Sequence, residues 1–118
     1  MNITIFESYE ALSREAARLV IEEIRKKPDL CVCFPTGSTP ERLYEILVEE
    51  YSHGHVDFSK VRVRSVDDYV GLAPDHTQSY AYFLNKRLFS HCNFNPNNIQ
   101  LIDSCAKDLE AECQAYNL

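Results

Sequence analysis

Apolar positions along the chain change period several times, and the changes mark out alternating strands and helices. Ile3 to Phe6 predicts a first strand. From Tyr9 onward Leu12, Ala16, Leu19, Val20 and Ile24 recur at helical spacing, predicting a helix that stops near Lys26, ahead of Pro28. Leu30 to Phe34 is apolar throughout, the pattern of a strand covered on both faces. Thr39 is placed to cap the next helix, with Pro40 at its first position and Glu41 at its positive end; Leu43, Tyr44, Leu47, Val48 and Tyr51 form its buried stripe.

The polar turn Ser52-His53-Gly54-His55 ends that helix, and Val61 to Val66 alternates as a half-exposed third strand. A helix from about Ser79 to His91 carries Tyr80, Phe83, Leu84 and Leu88. Asn97 to Ile102 predicts a short strand, and Lys107 to Tyr116 a last helix that meets no terminator by Leu118. The order β-α-β-α-β-α-β-α implies right-handed crossovers and a three-layer α/β/α fold on a mostly parallel, Rossmann-like sheet. Four strands make a narrow sheet for that architecture. Residues 1–118 are therefore expected to be the N-terminal part of a longer domain.

Composition narrows the classes. With 118 residues, 45% of them hydrophobic and 11% aromatic, the chain can build one core. A formal charge of −6 argues against nucleic acid, which needs clustered cations; Arg25, Lys26, Lys27, Arg62 and Arg64 are too scattered. Met1 to Glu7 has no basic start followed by an apolar stretch, and no window reaches the length of a membrane span, so the expected location is the cytoplasm. Five cysteines without a C-x-x-C spacing read as free thiols, with Cys31, Cys33 and Cys113 expected to be buried.

The chemistry gathers at two strand ends. Phe34 runs into Pro35-Thr36-Gly37-Ser38-Thr39-Pro40, a hydroxyl-rich turn opening a helix, where backbone N–H groups face an anion. Val66 runs into Asp67-Asp68-Tyr69, which puts two carboxylates at the carboxyl end of a strand, where open parallel sheets hold ligands. Together they suggest proton chemistry on a phosphorylated small molecule. Taken singly, the first motif is an ordinary capped helix start and the second an ordinary polar turn. With three glycines the chain holds neither G-x-G-x-x-G nor a Walker loop, and no His or Cys spacing supports a metal.

Phe34-Pro35-Thr36-Gly37-Ser38-Thr39-Pro40, Val66-Asp67-Asp68-Tyr69-Val70-Gly71-Leu72, His76-Thr77-Gln78-Ser79-Tyr80 and Asp108-Leu109-Glu110-Ala111-Glu112-Cys113, at their mutual spacing, resemble the front part of the glucosamine-6-phosphate deaminase family. The resemblance implies conversion of glucosamine 6-phosphate and water to fructose 6-phosphate and ammonia, with no organic cofactor and no catalytic metal. It places the enolisation base at Asp67 and part of the phosphate seat at Thr36, Gly37, Ser38 and Thr39. Asp68 stands where the family has glutamate; Asp68 and Tyr80 are candidates for supporting contacts, although Tyr69, Tyr80 and Tyr82 read by residue type as core or rim aromatics. Tyr116 matches a family tyrosine near the substrate lid and allosteric region. The resemblance also implies a missing half carrying the ring-opening residues and basic phosphate ligands, and a homo-oligomer in some full-length forms. Two alternatives stand beside this reading. One is a non-catalytic fragment that binds sugar phosphate or pairs with a full-length subunit. The other is the related 6-phosphogluconolactonase group, whose motif reads Asp-Glu-Arg where this chain has Asp67-Asp68-Tyr69.

Overall fold

A computed structural model describes residues 1–117; the predicted run-out of the last helix at Leu118 lies outside them. The first helix, α1 (Tyr9–Lys26), starts where Ser8 turns extended and its hydroxyl accepts the Ala11 N–H at 3.1 Å. Glu10 near its start and Arg25 and Lys26 at its end suit the helix dipole. Strand β1 (Cys31–Phe34) leads to α2 (Glu41–Ser52), β2 (Arg62–Ser65), α3 (Tyr80–Arg87), two 3₁₀ turns at Phe89–His91 and Pro96–Asn98, β3 (Ile99–Gln100) and α4 (Leu109–Tyr116).

The three strands are parallel in the order β1-β2-β3, with Cys31 opposite Arg62, Phe34 opposite Ser65, and Arg64 opposite Gln100. This is the expected α/β class on a parallel sheet. Side chains alternate between faces. Phe34, Val63 and Ser65 are buried on one; Cys31, Cys33, Arg62 and Gln100 are exposed on the other. The described residues thus supply the sheet and one helical layer. Leu47, Phe58, Val61, Leu84 and Leu88 fill the core, and Phe34 sits at its aromatic centre, edge-on to Tyr44, Phe89 and Phe94 at centroid distances of 5.8, 6.3 and 6.2 Å.

Several expectations are corrected. Residues 3–6 form no strand: they pair with nothing in the sheet, and Ile3 and Ile5 are exposed. Strand β1 is covered on one face only, so Cys31 and Cys33 are exposed rather than buried, as is Cys113. Cys92 is half-buried, and burial pushes its thiol up to about 11. On α1 the buried stripe is Ser13, Ala17, Ile21 and Ile24, one step round from the predicted one, leaving Leu12 and Leu19 exposed. The helix predicted to reach His91 stops at Arg87, because Leu88 leaves helical geometry (φ −133°, ψ −61°) and the chain tightens into a 3₁₀ turn.

Candidate active site

Because Phe34 and Ser65 are register partners at the carboxyl ends of β1 and β2, the turns that follow them must emerge side by side. In the first turn Gly37 takes φ +98°, a left-handed conformation that a side chain would strain. The turn is held from two directions. Tyr44 of α2, fully buried, donates its hydroxyl proton to the Pro35 carbonyl. Its phenol is held above the ordinary tyrosine range, chiefly by burial. The Tyr9 hydroxyl lies 2.9 Å from the carbonyls of both Ser38 and Thr39, and accepts the Arg42 N–H at 3.2 Å.

Arg42 completes that clamp. Its guanidinium donates to both carboxylate oxygens of Glu10, at 2.7 and 3.0 Å, tying the start of α2 to the first turn of α1. With the Ser38 and Thr39 carbonyls turned toward Tyr9, the amides of Gly37, Ser38 and Thr39 donate to no protein acceptor among the described residues. These are free donors at a helix start, the arrangement that accepts an anion. Thr39 does not cap α2 as expected: Pro40 is the N-cap residue, without a side-chain cap bond.

In the second turn the two carboxylates do different things. Asp67 is exposed, and its side chain makes no hydrogen bond among the described residues; the dry cleft that a base of this kind needs is not closed around it. Asp68 turns inward. It accepts the Tyr69 N–H at 2.8 Å, the Tyr80 N–H at 2.9 Å, the Ser79 hydroxyl at 3.0 Å and the Ala81 N–H at 3.2 Å. This carboxylate therefore satisfies the N-terminal amides of α3 and fixes the backbone next to Asp67. Replacing Asp68 with Ala should cost about 1–2 kcal/mol, measurable by urea denaturation, because the Tyr80 N–H and the buried Ser79 hydroxyl lose their acceptor, while the Ala81 N–H keeps the Ser79 hydroxyl oxygen.

Tyr80, the first residue of α3, lies beside the second turn. Its phenol is held above the ordinary range, first by the neighbouring Tyr69 side chain, then by burial and by the negative charge of Asp67, with Thr36 acting in the opposite direction. The Tyr69 and Tyr80 rings lie 4.9 Å apart.

Comparison with known proteins decides what this arrangement is an instance of. Residues 6–118 match the family of glucosamine-6-phosphate isomerases and 6-phosphogluconolactonases. The chain belongs to that family. It is 41% identical over 116 residues to a glucosamine-6-phosphate deaminase of Thermoanaerobacter sp. (strain X514), covering 98% of this chain and 46% of that protein. Glucosamine-6-phosphate deaminase 2 of Bacillus subtilis (strain 168) is likewise 41% identical, over 98% of this chain and 47% of its own length. A solved monomeric glucosamine-6-phosphate deaminase superposes with a TM-score of 0.95 at 34% identity, over 98% of this chain and 48% of that one. The 6-phosphogluconolactonase of Thermotoga maritima shares the fold, with a TM-score of 0.73 at 23% identity over 95% of this chain and 49% of its own. The chain spans about half the length of these family members.

Sequence reasoning missed the part that Tyr116 plays in this half of the fold. From α4 its hydroxyl accepts the Ser65 N–H at 2.8 Å and lies 2.8 Å from the Ser65 carbonyl and 3.3 Å from that of Gln100. It closes the end of β2 two residues before Asp67. Tyr116→Phe should cost about 1–3 kcal/mol by urea denaturation, since the Ser65 N–H is left without an acceptor. Among the described residues no group of three or more His, Cys, Asp and Glu side chains could hold a metal ion, and no helix is long and apolar enough to cross a membrane.

Proposed function

We propose that this chain carries the enolisation base and part of the phosphate seat of a glucosamine-6-phosphate deaminase. The observation that supports this most is the register of Phe34 with Ser65, which sets the turn carrying the free amides of Gly37, Ser38 and Thr39 beside the turn carrying the unpaired Asp67 carboxylate. The free amides of Gly37, Ser38 and Thr39 bind the substrate phosphate and set the opened sugar at a fixed distance from Asp67. That binding energy, remote from the reacting carbons, orients them for proton transfer.

The Asp67 carboxylate takes the proton from C2 of the opened amino sugar; the C–H electrons form the C1–C2 double bond as the C1=O π electrons pass to O1, which takes a proton from solvent, giving an enolamine. The same carboxyl returns a proton to C1, leaving an imine at C2. Water adds to that imine and ammonia leaves, giving fructose 6-phosphate. Atoms balance with one water consumed and no oxidant or reductant. One carboxylate serves both proton transfers because C1 and C2 are adjacent on one face. The cleft that shields this step, the ring-opening groups and further phosphate ligands belong to the part of the family fold beyond these residues.

The test uses this chain extended by the remaining half of the Thermoanaerobacter relative. It should release ammonia from glucosamine 6-phosphate and not from unphosphorylated glucosamine. Ser38→Pro, which removes one amide of the seat, should raise KM about tenfold or more with a smaller effect on kcat. Equal use of the two sugars, or a KM unmoved by Ser38→Pro, would remove the phosphate seat from this turn.

A further inference from the structure

The Tyr9 side chain, at the first position of α1, reaches a turn 29 and 30 residues further along the chain. Its hydroxyl lies 2.9 Å from the carbonyl oxygens of both Ser38 and Thr39, and its oxygen accepts the Arg42 N–H at 3.2 Å, so its single proton is left to those carbonyls. Glu10, the next residue of α1, takes the guanidinium of the same Arg42 on both carboxylate oxygens. Two neighbouring residues of α1 thus grip Arg42 by its backbone and by its side chain. That grip fixes the Tyr9 hydroxyl relative to the start of α2.

The two carbonyls differ in consequence. In a trans peptide the C=O and the N–H lie in one plane and point to opposite sides. The Ser38 carbonyl shares its plane with the Thr39 N–H, so drawing that oxygen toward Tyr9 aims the Thr39 N–H away from Tyr9. The Thr39 carbonyl shares its plane with Pro40, which has no N–H to aim. The Gly37 carbonyl, which shares its plane with the Ser38 N–H, makes no hydrogen bond with Tyr9. The Tyr9 hydroxyl therefore acts on one donor, the amide of Thr39. Ser38 and Thr39 lie outside helix and strand, and among the described residues the Ser38 carbonyl meets one other donor, the Glu41 N–H at 3.4 Å, longer than an ordinary hydrogen bond. Tyr9 is the main hold on that peptide plane. We infer that Tyr9 is a positioning residue for anion binding, its hydroxyl fixing the Ser38–Thr39 peptide so that the Thr39 N–H is aimed before phosphate arrives. A donor aimed in advance costs no reorganisation when the anion binds. This role rests on the reading of the turn as a phosphate seat and is independent of the chemistry at Asp67.

The experiment titrates inorganic phosphate into the isotopically labelled chain and into its Tyr9→Phe variant, reading backbone amide signals by NMR. Phenylalanine keeps the ring and removes the hydroxyl. The Tyr9→Phe midpoint should rise about fivefold, the affinity equivalent of one net hydrogen bond, with the Thr39 signal losing more of its shift than those of Gly37 and Ser38. In the chain completed with the second half of the Thermoanaerobacter relative, the same variant should raise KM for glucosamine 6-phosphate by about the same factor, with kcat within about twofold. Equal phosphate midpoints in the two proteins would overturn the proposal and leave the seat standing. So would a lowered melting temperature with an unchanged midpoint, which makes Tyr9 a structural tie between α1 and α2. Phosphate that moves none of the three amides in the unsubstituted chain would remove the seat and the proposal together. Phosphate binding weakened by Tyr9→Phe, in a completed chain that releases no ammonia, upholds the role of Tyr9 while removing the deaminase reading.

Discussion

Asp67→Asn, placed in a full-length context, should lower kcat for ammonia release about 10²- to 10⁴-fold, the range contributed by a positioned general base. KM for glucosamine 6-phosphate should stay within about twofold, because in the proposed mechanism the carboxylate works on carbon and the phosphate rests on the amides of Gly37, Ser38 and Thr39. The geometry makes this a clean substitution. The Asp67 side chain makes no hydrogen bond among the described residues, whereas its neighbour Asp68 accepts four. Stability should therefore be nearly unchanged in Asp67→Asn and reduced in Asp68→Ala, separating the residue that acts from the residue that holds it in place. A KM rise matching the kcat loss would mean that Asp67 binds substrate rather than moving a proton.

The largest effect on stability is expected at Phe34. Only 3% exposed, its ring meets Tyr44, Phe89 and Phe94, so it joins the sheet to α2 and to the turn after α3. Phe34→Ala should cost about 3–5 kcal/mol, from lost burial plus the cavity left among those rings. With one helical layer on the sheet among the described residues, that is a large share of total stability. Urea denaturation checks it, with Phe34→Leu expected to recover more than half of the loss. Because Phe34 immediately precedes the turn at Pro35 to Pro40, the same substitution should also loosen the Tyr44 contact to Pro35.

Local signals were read from the sequence where they act locally. The helix from Tyr9 to Lys26 was legible because spacing, the dipole charges and Pro28 all agree over a few turns. The parallel sheet followed from the alternation of elements. The segment 3–6 was not, because a strand exists only when another strand pairs with it, and none of the described ones does. Likewise the apolar run Leu30–Phe34 could not tell which of its faces would be covered; Cys31 and Cys33 lie on the open one.

At the candidate site the two strand-end motifs were visible as residue types and as a family resemblance, but the side chains that join them were not. Asp68 reaches residues 11 to 13 positions away. Tyr9 reaches Ser38 and Thr39 across 29 and 30, and Tyr116 reaches Ser65 across 51. No pattern of period two or 3.6 encodes such contacts. The expected cap at Thr39 failed for a related reason: the long-range hold of Tyr9 and Arg42 sets the turn, and Pro40 takes the capping position.

The family includes both deaminases and lactonases, so the most direct measurement offers both substrates to the chain completed with the second half of its Thermoanaerobacter relative. Ammonia and fructose 6-phosphate formed in equal amounts from glucosamine 6-phosphate, with 6-phosphogluconolactone hydrolysed no faster than in buffer, is the result predicted by a base at Asp67 beside the seat at Thr36 to Thr39. Accelerated lactone hydrolysis without ammonia release would contradict it.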